Sequence, residues 1–175
     1  MACSAAAAAA LVARLAPEGQ PLPALHEAIE LCDEVKVGLD NCRTLGEAGA
    51  IAACVALLRG AAADVKAAAA EVLHLLAPLY AAECCKSGAV ELLVGLQPEC
   101  KEARAALRGV AAANVAAMAA VVEAGGMESL VELFRDDDGL TDPEHDDGMD
   151  DDMRTPRQRY RDEIKAKVEE FKKNA

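Results

Sequence analysis

The stretch EAGAIAACVALLRG at residues 47–60 is written again, in altered form, as KSGAVELLVGLQPE at 86–99 and EAGGMESLVELFRD at 123–136. Aligned on Gly49, Gly88 and Gly125, the three versions lie 39 and 37 residues apart, so they read as copies of one structural unit. Apolar residues at helical period follow each glycine: Ile51, Val55 and Leu58; Val90, Leu93 and Val94; Met127, Leu130, Val131 and Phe134. A second helix follows in the first two copies. Val65, Ala69, Val72, Leu73 and Leu76 share one of its faces in copy one, and Ala103, Ala106, Leu107 and Val110 do so in copy two. Glycine frees the backbone where one unit turns sharply into the next, so sharp corners are expected at the three aligned glycines.

Composition supports helices throughout. Of 175 residues 40 are alanine, against two Phe, two Tyr and no Trp, so the core must be thin and closely packed. Alanine loses no rotamer freedom in a helix, which makes AAAAAALVARLA (5–16) and VKAAAAEVLHLLA (65–77) helical rather than extended. No run approaches the roughly 18 apolar residues needed to cross a bilayer. The apolar start MACSAAAAAALVARLAPEGQ (1–20) lacks the basic opening of a secretory signal and the arginines of a transit peptide, and reads as a terminal helix of the fold.

The phrase and its two helices resemble the armadillo repeat, in which glycine, a small residue and isoleucine open a leucine-rich helix and a longer helix closes the unit. AALRGVAAANVAAMAAVVEAGGM (105–127) and AIELCDEVKVGLDNCRTLGEAGA (28–50) carry the same likeness across unit boundaries. The resemblance covers about residues 24–135 and implies an all-α, armadillo-like solenoid. Segment 1–23 is then an Ala-rich N-terminal helix and linker. In armadillo proteins that grip extended peptides, such as importin-alpha, an Asn on the third helix holds the peptide backbone and a Trp lies four residues before it. The matching positions here are Leu75 and Gly109 for the Asn, and Glu71 and Ala105 for the Trp, so capture of a nuclear-import signal is not expected. A partner is expected instead against Glu71, Leu75, Arg104 and Arg108.

The net charge of −12 divides into three unlike parts: −6 over residues 1–135, −10 over 136–153 and +4 over 154–175. DDDGLTDPEHDDGMDDD (136–152) reads as a solvated acidic linker, because neither register of an EF-hand calcium loop places its acids and glycine correctly. Beyond it Thr155, Pro156 and Gln158 signal a helix start, and Tyr160, Ile164, Val168 and Phe171 line one face. This amphipathic helix is expected either to cover the third glycine copy, which lacks a long closing helix, or to dock on another protein; charge repulsion between linker and body favours the second.

Seven cysteines, with no CxxC pair, read as small hydrophobes in a reducing compartment. Cys84 and Cys85 with His74 lack the paired spacing of a zinc site. His26, His74 and His145 stand near no nucleophile in sequence, and GEAGA (46–50) has no lysine of a phosphate loop, so catalysis and cofactors are not expected. Clustered base is missing for nucleic acid, and four acids interrupt the polar face of the tail helix, which argues against a membrane surface. The expectation is a non-catalytic module in a multi-subunit protein complex of the cytosol, on a cytoskeletal or other large assembly. The alternative implied by the resemblance is a nucleotide-exchange cochaperone of Hsp70 chaperones, a class that also contains small armadillo proteins.

Overall fold

A computed structural model describes residues 3–16, 19–35 and 37–130, which belong to one compact unit. They are helical throughout, with no strand among them: α1 Ala5–Arg14, α2 Pro21–Asp33, α3 Gly38–Glu47, α4 Ala50–Gly60, α5 Ala63–Lys86, α6 Ala89–Leu96, α7 Lys101–Ala113 and α8 Val115–Glu123. Residues 127–130 are helical again.

Gly49, Gly88 and Gly125 are the positive-φ residues of the described chain, at φ 92°, 77° and 91°. Each ends one helix and opens the next, in a left-handed conformation that costs an L-residue about 1–2 kcal/mol. Elsewhere, side chains set the boundaries. The Ser4 hydroxyl accepts from the Ala7 amide at 3.2 Å to start α1, and Pro21 opens α2. Asn114, extended at φ −169°, breaks α7 from α8 and caps the latter by accepting from the Ala117 amide at 2.9 Å.

Helix α5 is bent. Pro78 has no amide hydrogen and crowds the carbonyl four residues back, and the backbone leaves helical geometry at Tyr80 (φ −127°, ψ 23°). At this kink the Tyr80 ring lies directly on Gly46 of α3, where any β-carbon would collide with it. Its hydroxyl donates to the Arg43 carbonyl at 2.9 Å.

Helix α5 lies between α2 and α7, its contact with α7 being the most extensive in the unit, and α4 packs on α6. The core is aliphatic. Leu25, Leu45, Ile51, Leu73, Leu76, Leu93 and Leu107 are among its largest fully buried side chains, spaced by alanines such as Ala69, Ala77, Ala103 and Ala106. The residues expected to face inward on the second helices, from Val65 to Leu76 and from Ala103 to Val110, are all buried.

At the N-terminus α1 buries Ala8 and Leu11, Leu15 just beyond it is also buried, α1 packs on α2 and α3, and α2 begins at Pro21. Arg14 of α1 meets Glu27 of α2 at 2.6 Å, an exposed pair that adds little. By length and mean composition alone α5 could cross a bilayer, although Asp64, Lys66, Glu71 and Glu83 interrupt its apolar residues. In this fold it is the central core helix, with Val65, Leu73, Leu76 and Cys84 among its buried residues.

Candidate interaction surface

The exposed side of α5 carries Glu71, His74 and Pro78, with Leu75 half-buried among them, because positions three and four apart share a helical face. On α7 the corresponding stripe is Lys101, exposed, then Arg104, Ala105 and Arg108, half-buried, and Ala112, exposed. Gly109 brings the two helices together. A β-carbon there would stand 2.9 Å from the His74 ring nitrogen Nδ1 and 3.3 Å from the Ala77 methyl, so only glycine lets α7 approach this closely.

The expected contact residues fall into three groups. Glu71 is exposed and Leu75 half-buried on α5, and Arg108 is half-buried on α7, the helix packed against it. Arg104 is also structural: its guanidinium Nη1 donates to the Gln97 carbonyl at 3.0 Å and holds the connection between α6 and α7. Tyr160, Ile164, Val168 and Phe171, together with the acidic linker 136–153 and the helix expected over 154–175, lie outside the described residues.

Other polar anchors carry no motif. Gln97 is buried, its side-chain oxygen accepting from the Ser129 hydroxyl at 2.9 Å and its amide nitrogen donating to Glu128 at 3.5 Å. Asn41, fully buried, accepts from the Cys3 amide and donates to the Leu31 carbonyl, both at 2.7 Å. No buried side-chain polar atom among the described residues lacks a partner. Glu27, Glu30, Asp33 and Glu34 line a shallow open groove along α2 with Ile29 and Leu31, and Val35 after it is fully exposed.

Titration shifts fall on cysteines and on Tyr80. Burial pushes the Cys54 thiol up to about 12, with nearby Cys84 adding to it. Cys84 is also pushed up to about 12, by burial first and then by Cys85 and Glu83. Tyr80 is raised by burial and by the carboxylates of Glu47 and Glu83. Among the described residues no group of three or more His, Cys, Asp or Glu side chains stands close enough to hold a metal ion, and His26 and His74 are both exposed.

No protein-family model matches the chain, and no curated protein matches it.

Proposed function

We propose that the chain is a short armadillo-like solenoid serving as a non-catalytic protein interaction module, an adaptor or subunit of a larger intracellular assembly. One observation supports this reading: left-handed glycines recur at the aligned positions, and of the helices that follow them α4 contacts α6 and α5 contacts α7. Repeats that bury their faces only against neighbours leave an extended helical surface for a partner. On this reading the partner meets Glu71, Leu75, Arg104 and Arg108, and the tail face of Tyr160, Ile164, Val168 and Phe171 supplies a second, tethered contact. Two weak contacts on one chain gain affinity through effective concentration.

The test is quantitative capture of partners by the full chain, by Glu71→Arg with Arg108→Glu, and by Ile164→Asp with Phe171→Asp. A partner retained by the parent and lost from both variants, with circular dichroism unchanged, supports the module. Indistinguishable partner sets would refute it. Faster ADP release from an Hsp70 chaperone on addition of the chain would instead favour the cochaperone reading.

A further inference from the structure

Val35, Leu39, Leu79 and Val115 are the large hydrophobic side chains that stand exposed among the described residues. Three of them hold equivalent places in the recurring unit: Leu39 lies ten residues before Gly49, Leu79 nine before Gly88 and Val115 ten before Gly125. Each opens the helical segment that runs into its corner glycine. Leu39 is in the first turn of α3, Leu79 follows Pro78 at the bend of α5, and Val115 is the first residue of α8. Helix α5 contacts both α3 and α8, and its Tyr80 ring, one residue beyond Leu79, reaches Gly46 of α3. Packed helices stand about 8–10 Å apart, so the three side chains form rungs at about that spacing along one edge of the unit.

Single exposed hydrophobic residues are ordinary on a protein surface. Recurrence at one repeat position sets these apart, with 60%, 40% and 41% of Leu39, Leu79 and Val115 open to water. Acids flank the first two rungs. Asp33, Glu34 and Asp40 outnumber Lys36 around Leu39, with Val35 fully exposed among them, and Glu83 stands exposed one helical turn beyond Leu79. Arg43, the nearby base on α3, pairs with Asp40 at 3.1 Å. Around Val115 the chain carries no charge from residue 111 to 117.

We propose that Leu39, Leu79 and Val115 form a docking ladder for a basic amphipathic helix of a partner protein.

The spacing selects a helix. Seven residues of helix rise about 10.5 Å and return the side chain to nearly the same face, so apolar residues one heptad apart meet successive rungs. A strand covers that distance in about three residues, whose side chains alternate, and it turns every second one away. The acids select the flanks: Lys and Arg beside the apolar stripe face Asp33 and Glu83, while the end over Val115 needs none. The inference rests on the interaction-module reading, but it uses a different surface from Glu71 and Arg108.

The experiment titrates the full chain into a fluorescently labelled synthetic peptide of about three heptads, with one leucine stripe, lysines beside it and alanine elsewhere, at about 0.15 M salt. Saturable binding is expected. It should weaken at least about tenfold in Leu79→Asp and in Leu39→Asp, and likewise when glutamates replace the lysines of the peptide. Each Asp variant adds a negative charge, so a purely electrostatic contact with the lysine peptide would tighten instead. Circular dichroism checks folding; should Leu79→Asp fail it, Leu39→Asp, at the most exposed rung, decides. Glu71→Arg with Arg108→Glu should bind the peptide as the parent does, so a failure of the ladder and a failure of the face on α5 and α7 are read separately. The proposal is overturned by absence of binding, or by binding that the Asp variants leave unchanged or tighten, as for a peptide held by the acidic residues 136–153. It is equally overturned if sedimentation shows the parent chain self-associating and Leu79→Asp monomeric, since the rungs then serve a second copy.

Discussion

Substituting alanine for glycine at positions 49 and 95 makes the same chemical change in two places, with opposite expected signs. A β-carbon at either site meets nothing within 4 Å, so packing drops out of the comparison. Gly49 sits at φ 92°, where alanine costs about 1–2 kcal/mol in the folded state, and this outweighs the few tenths to 1 kcal/mol gained by stiffening the unfolded chain. Gly95 lies inside α6 with ordinary helical geometry, where alanine is favoured by roughly 0.5–1 kcal/mol. The two variants should therefore differ by about 2 kcal/mol, Gly95→Ala melting above the parent and Gly49→Ala below it. Urea denaturation followed by far-ultraviolet circular dichroism measures this directly, with linear extrapolation at a common slope. If Gly49→Ala is as stable as Gly95→Ala, the left-handed corner at Gly49 is not populated and the account of the recurring phrase fails at its root.

Two further outcomes follow from burial. Leu73→Ala, at a fully buried position on α5, should cost about 2–5 kcal/mol in the same assay, and a loss below about 0.5 kcal/mol would place Leu73 at a surface. The unfolded chain releases the Cys54 and Cys84 protons near the ordinary thiol value of about 8.5, whereas the folded chain keeps them up to about 12. The stabilising contribution is therefore complete below about pH 8.5 and is lost as pH rises towards 12, because the unfolded state binds fewer protons in that window. The urea midpoint should fall across it, and Cys54→Ala should flatten the fall; an unchanged slope would mean that Cys54 reaches water.

What the sequence made legible is what repeats or has a period. Three glycines in one phrase announced three left-handed residues, and stripes such as Val72, Leu73 and Leu76 announced the buried face of α5. Features set by contacts across many residues left no such signal. Pro78 is a visible helix breaker, but its consequence depends on Tyr80 finding a bare backbone at Gly46, 34 residues earlier. Gln97 and Ser129, or Asn41 and the Leu31 carbonyl, look like ordinary polar residues until the fold places them in contact away from water. The cysteines were the least legible. Cys32 lies between Leu31 and Asp33 and Cys54 between Ala53 and Val55, yet both are buried, and only the fold shows that Cys54 is sealed from water while Cys32 keeps a small opening.

At the candidate surface the same distinction decides what kind of recognition is physically available. Gripping an extended peptide needs backbone donors and acceptors repeated along a groove. Here Leu75 offers none from its side chain, and Gly109 could acquire an amide only by pushing α7 away from His74 and Ala77. Because α5 and α7 make the most extensive contact of the unit, that displacement would strain the core rather than the surface alone. At position 109 the close approach of α5 and α7, and not the choice of one binding residue, thus sets what side chain can stand there. On the proposed reading, recognition then falls to charged side chains of the helix pair, Glu71 from α5 and Arg104 and Arg108 from α7. Their opposite charges suit a folded partner that presents complementary side chains at fixed positions. Capture by such contacts should weaken as salt rises, since exposed charges are screened within about 10 Å at 0.1 M ionic strength. Capture through the apolar stripe of Tyr160, Ile164, Val168 and Phe171 should not weaken, so a salt series on the parent chain and the two double variants separates the two contacts. Salt-independent loss in Glu71→Arg with Arg108→Glu would show that the helix pair is not read by charge.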